Sequence, residues 1–239
     1  RRSGLFTAVF RPSVTRPSDL RPSAPSSPMR SRLLTSLATA LLLAFTSARA
    51  AELLIHPIQD VLVSSNGELS EPRNLGVSNR GPEYIRRTFL QFDLSTIPAG
   101  AQIEKVVLRL IPSGYIGKEN TPIPLALWGF TEPVSWHEDG ITWQNSPKRD
   151  VLFEQGYGEP GVARLAILDW DAKIDVTKRP PLLFTGENLT AFVRRFVGKP
   201  VTLVVICEGG AKTPGLVFFS KDNRPVAKSV YPALLVTTK

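Results

Sequence analysis

Residues 133–147, PVSWHEDGITWQNSP, hold the densest collection of reactive side chains in the chain. His137, Glu138 and Asp139 are adjacent, and the two carboxylates could act as acid and base. Adjacent residues on an extended chain point to opposite faces, however, so these carboxylates would not converge on one bond. Trp136 and Trp143 each carry roughly 150–250 Å² of surface to bury. Asp139-Gly140 supplies a turn, Ile141-Thr142-Trp143 resumes as a strand, and Asn145 with Pro147 closes it. The favoured expectation is a structural corner, ahead of a ligand contact and well ahead of catalysis.

Other chemistry is sparse. The second histidine, His56, has no metal-ligand partner close in sequence, and zinc sites need three or four such ligands at short spacings. No Gly-x-Ser-x-Gly elbow supports a nucleophile, and no glycine-rich loop supports a nucleotide. The lone cysteine, Cys207, excludes an internal disulfide and reads as a small core residue. EPRNLGVSNRGPEYIRRTF offers Arg73, Arg80, Arg86 and Arg87, and a guanidinium grips a carboxylate through two parallel hydrogen bonds. These arginines either face an anionic ligand or solvate a surface in pairs with Glu71 and Glu83. Tyr84 and Tyr231 either offer an aromatic face to a ligand or sit half-buried at a sheet edge.

The elements that must position these groups are short strands punctuated by Pro, Gly and Asn. LLIHPIQDVLVSS places Ile58 and, after a shift, Val61 and Val63 on alternating positions. RTFLQFDLSTIP sets Leu90, Phe92 and Leu94 against Phe89, Gln91 and Asp93, and AQIEKVVLRL sets Val106, Leu108 and Leu110 against Lys105, Val107 and Arg109. Such period-two alternation marks a strand with one buried face. IPLALWGF, ARLAILDWD, VTLVVICE, GLVFFS and PALLVTT follow, and the near-continuous LVV and VFF runs predict strands covered on both faces. ENLTAFVRRFVGKP alone has helical spacing, with Leu189, Phe192, Val193, Phe196 and Val197 on one side and Arg194 and Arg195 outward, ending at Gly198 and Pro200. The fold class predicted is all-β, a jelly-roll-type β-sandwich with one short helix.

The net charge of +8 is concentrated at one end: residues 1–50 carry eight arginines and one acid, so residues 51–239 carry only about +1. From Met29, a basic start at Arg30 and Arg32, an apolar stretch to Phe45 and Ala48-Arg49-Ala50 have the three parts of a secretory signal peptide. The apolar stretch falls short of the roughly 20 residues that span a bilayer. Residues 1–28, with Arg-Pro-Ser repeated at a five-residue step, read as upstream or disordered sequence, 29–50 as the signal and 51–239 as one domain. The expected location is extracellular, periplasmic or cell-surface in a bacterium, with no nucleic-acid partner.

RTFLQFDLSTIP, AQIEKVVLRL, VSWHEDGITWQNSP and VFFSKDN before YPALLV occur in that order, and the chain thereby resembles the DNRLRE-domain family, also described as family 96 carbohydrate-binding modules. The resemblance runs from about Leu53 to Val236. Its most specific piece is Trp136-x-Glu138-x-x-Ile141-Thr142-Trp143-x-Asn145-x-Pro147, read as a structural motif. It implies a β-jelly roll without catalytic activity and a polysaccharide partner, an acidic one such as alginate in some members. The basic region matching Arg73, Arg80, Arg86 and Arg87 would make the contact, with Tyr84 and Tyr231 as stacking candidates. No cofactor is implied beyond a structural calcium, for which Asp60 and Asp222 are conceivable ligands. A cell-surface or matrix module that binds other surface proteins and no sugar is the alternative.

Overall fold

In the computed structural model, the described residues are 51–67, 74–117, 121–149, 160–210, 213–223 and 226–239. Arg73, Glu71 and the expected signal peptide lie outside them. The strands are β1 (Ala51–Ile55), β2 (Gln59–Ser64), β3 (Asn74–Asn79), β4 (Ile85–Asp93), β5 (Ile103–Leu110), β6 (Pro112–Ile116), β7 (Ile123–Phe130), β8 (Val162–Trp170), β9 (Leu182–Thr185), β10 (Pro200–Cys207), β11 (Gly215–Phe219) and β12 (Ala233–Thr238). The helix α1 spans Glu187–Arg195. All pairings are antiparallel. One sheet runs β1-β12-β5-β9; the other runs β6-β11-β3-β4-β10-β7-β8, with β2 also paired to β4. The all-β sandwich with a single helix is the fold predicted from alternation. Among the described residues no helix is long and apolar enough to cross a membrane.

The main core lies where Val106, Leu108, Phe184, Leu234 and Val236 of the smaller sheet meet Leu90, Phe92, Leu125, Leu203, Val205 and Phe218 of the larger. A second, separate core covers the larger sheet's other face. There Val61, Val63, Phe89, Ala126, Trp128, Val204 and Ile206 pack under Trp136. Strand β10 therefore has no solvent face, which is why VTLVVIC is a continuous apolar run. The same second core revises β4, whose supposedly outer residues Phe89 and Gln91 are buried. Strand β11 goes the other way: Leu216 and Phe218 are buried, but Val217 and Phe219 are only half-buried.

The first predicted strand is two. His56-Pro57 carries the chain from β1 in the smaller sheet to β2 in the larger, and Ile58, in the crossing, is 51 % exposed. His56 Nδ1 donates to the carbonyl of Pro232 at 2.9 Å, a structural contact. Leu94 leaves β4 for a 3₁₀ turn capped by the Asp93 carboxylate, which accepts from Ser95 N–H at 2.9 Å. Helix α1 packs against β5 and β8, closing that side of the sandwich. Gly129 makes room for it, since a Cβ there would come within 2.7 Å of Phe192 Cε1. Thr190 Oγ1 pins the helix by accepting from Val106 N–H at 3.2 Å and donating to Gly186 O at 3.0 Å. Arg194, expected outward, donates to Ile103 O at 2.9 Å and pairs with Glu187 at 2.7 Å.

Candidate functional site

The tryptophan segment decides the site's layout, and its two indoles have different jobs. Trp136 is buried, 7 % exposed, with its ring edge-on to Phe89 at 6.0 Å and its Nε1 donating to Thr202 Oγ1 at 3.1 Å. It nails the segment to the larger sheet, the masonry the spacing suggested. Trp143 is only half-buried. The expected strand at Ile141-Thr142-Trp143 does not form; the stretch is a turn, because side chains capture the backbone groups that a strand would have paired. Asn145 Oδ1 accepts from Thr142 N–H at 2.6 Å, and Asn145 Nδ2 donates to Gly140 O at 2.9 Å. Ser146 Oγ donates to Trp143 O at 3.0 Å. Thr142 and Asn145 thus shape a compact turn that leaves Trp143 half-buried at the margin of the second core, packed against it.

Arg87 braces that indole from behind. Its guanidinium carbon lies 4.6 Å from the Trp143 ring centroid, and Nη1 donates to Arg149 O at 2.9 Å. At 2 % exposure Arg87 is no surface cation, which corrects its place in the expected ligand-facing row. The cause is parity: on β4, Arg87 shares a face with Phe89 and so turns into the second core, while Arg86 turns to the other face.

Beside Trp143, the turn runs along the outer edge of β2 and leaves a cleft of about 440 Å³. Val61, Val63, Ile141 and Trp143 supply apolar wall, and Asp60, Glu138, Asp139 and Asp222 supply carboxylates. Glu138 and Asp139 share this cleft because they sit on a turn, whereas an extended chain would have separated them. His137 is exposed and is not part of the lining.

The carboxylates meet around Lys221. Oxygens of Asp60, Glu138 and Asp222 lie within 4.8 Å of one another. Lys221 Nζ pairs with Glu138 at 2.9 Å and Asp222 at 2.7 Å. Asp60 Oδ1 accepts from Ser220 Oγ and Oδ2 from Lys221 N–H, both at 2.8 Å. Asp60 N–H in turn donates to Glu138 Oε2 at 3.1 Å. Burial pushes the Asp60 carboxyl up to about 6, against the opposing pull of those donors and of the Lys221 charge. For Lys221 burial disfavours the charge, but the hydrogen bonds to Asp222 and Glu138 outweigh it and hold the ammonium above its ordinary value. The two residues conceived as calcium ligands, Asp60 and Asp222, are thus brought together with Glu138, and the chain's own ammonium supplies positive charge among them. Lys221 and Ser220 were missed in the sequence; the signal was an acid, Asp60, directly before the apolar run Val61-Leu62-Val63.

The arginine region lies at one end of β4. The turn from β3 to β4 is closed by Tyr84 N–H donating to Gly81 O at 2.9 Å, and it leaves the Tyr84 ring 55 % exposed. Arg80 stands at the base of that turn, half-buried. Arg86 lines a recess of about 130 Å³ with Ser78, Cys207 and Glu208. Tyr231 is elsewhere, edge-on to His56 at 6.0 Å and close to the other end of β4. Arg80, Tyr84 and Arg86 are therefore grouped, while Arg87 and Tyr231 are not.

No curated protein matches the chain. A protein-family model does, over residues 53–162, a stretch shorter than the resemblance suggested but one holding both the arginine hairpin and the whole tryptophan segment. That model is carbohydrate-binding module family 96, and over that stretch the chain is similar to it.

Proposed function

We propose that the domain is a secreted, non-catalytic module that recognises an acidic polysaccharide such as alginate at the tip of the β3–β4 hairpin. The observation that carries this reading is the solvent-facing Tyr84 ring flanked by Arg80 and Arg86, set within a carbohydrate-binding family match. An aromatic face can pack on a sugar ring, and a guanidinium grips a uronate carboxylate through two parallel hydrogen bonds. Binding without catalysis is supported by Glu138, whose carboxylate is committed to Lys221 and Asp60 N–H. In native affinity gels containing alginate, the protein is expected to be retarded and the Arg80→Ala/Arg86→Ala double variant to run free. An unretarded native protein on alginate and on other anionic glycans would sink the reading.

A structural or adhesive role without sugar is the second reading. It rests on Leu54 and Ile58, each half-exposed beside His56 at the opposite end of β4. Recovery of envelope proteins and no glycan in a pull-down would favour it.

A further inference from the structure

The cleft between β2 and the Trp143 turn has no part in the reading above, and its chemistry differs from that of the hairpin. We infer that it is a second carbohydrate site, one that takes a neutral sugar. Its volume, about 440 Å³, lies in the range of roughly 300–1,000 Å³ typical of small-ligand clefts. Trp143 presents a ring to it while the buried Arg87 guanidinium stacks on that indole and is itself tethered to Arg149 O. A platform held in this way loses little side-chain freedom when a ligand stacks on it.

Polar partners for hydroxyl groups stand around the platform. The Asp139 carboxylate is exposed on the rim and makes no hydrogen bond or ion pair among the described residues. A carboxylate accepts only, and sugar hydroxyls donate. Strand β2 adds backbone groups. Ser65 N–H bonds to Ile85 O, and the register pairs Val63 with Arg87 and Val61 with Phe89, so odd residues face β4. Leu62 therefore turns its N–H and C=O away from β4, toward the cleft it lines, as Asp60 N–H does where it reaches Glu138. The site thus combines a stacking face, a carboxylate acceptor and a main-chain donor. A uronate would meet Asp139, Glu138 and Asp222 with like charge, which is why the ligand is neutral and differs from that of the hairpin.

Native affinity gels containing xylan, galactomannan or mixed-linkage β-glucan test this, with alginate run in parallel. Retardation in at least one neutral gel is expected. Trp143→Ala should weaken it roughly tenfold, the loss of about 1.4 kcal/mol of stacking, and Asp139→Ala severalfold. Arg80→Ala/Arg86→Ala should leave it unchanged. No retardation in any neutral gel would overturn the inference, as would retardation that Trp143→Ala leaves intact. If Trp143→Ala does not fold, Asp139→Ala decides, since that side chain makes no hydrogen bond or ion pair among the described residues. Loss of alginate binding alone counts against the hairpin, and loss of neutral-gel binding alone counts against the cleft.

Discussion

Asp60 is held almost out of water, 4 % exposed, yet both of its carboxylate oxygens are engaged, by Ser220 Oγ and Lys221 N–H. The groups facing it are Lys221 and Ser220 from the turn after β11, Glu138 from the tryptophan segment and Asp222. Its carboxyl sits at about 6 in place of the ordinary 3.8 because burial penalises the charge more than these neighbours favour it. The folded protein consequently binds more protons than the unfolded chain between about pH 4 and 6. Stability contributed by the protonated carboxyl is full below that window, falls as pH rises through it, and levels off above. At about 1.36 kcal/mol per pH unit the total loss approaches about 3 kcal/mol. Urea denaturation from pH 4 to 8 should show this slope in the native protein and lack it in Asp60→Asn; superimposable profiles would refute the assignment.

At the scale of elements, the irregular segment 131–149 does what a third layer would do. Without Trp136 the outward residues Val61, Phe89, Val204 and Ile206 would form an apolar patch on the larger sheet. Trp136→Ala removes the edge-to-face contact with Phe89 and strands Thr202 Oγ1, and should cost about 3–5 kcal/mol. Amide hydrogen exchange should then speed up across residues 136–146, with helix α1 little affected because it packs on the other core. Uniform loss of protection in both places would mean that the two cores are not separable units. Alternation in the sequence had shown where the strands are; it could not show this layer, because a covering loop has no period to read. The apolar parity of β10, where Val204 and Ile206 alternate with Leu203 and Val205, was the one legible trace of it.

The whole molecule carries its charge unevenly. Residues 51–239 are close to neutral at +1, so recognition of an anionic chain rests on local guanidinium groups and is open to screening. With a screening length of about 10 Å at 0.1 M salt and about 3 Å at 1 M, alginate retardation at the hairpin should fade as NaCl rises. Stacking and hydrogen bonds to a neutral sugar in the cleft should persist, so only the alginate gel should lose retardation as salt rises; equal salt sensitivity would argue for one shared site. The class of the fold, its single helix, the motif around Trp136 and the strand that carries Arg86 followed from sequence alone, because side-chain periodicity and turn chemistry act over a few residues of backbone. Tertiary structure alone decided that Asp60, Glu138 and Lys221, separated by about eighty residues at each step, meet in one network. It also decided that Arg87 turns inward behind Trp143, and that Tyr231 parts company with Tyr84. Those outcomes depend on the path of loops and on which strand neighbours which, and no local pattern of residues encodes either.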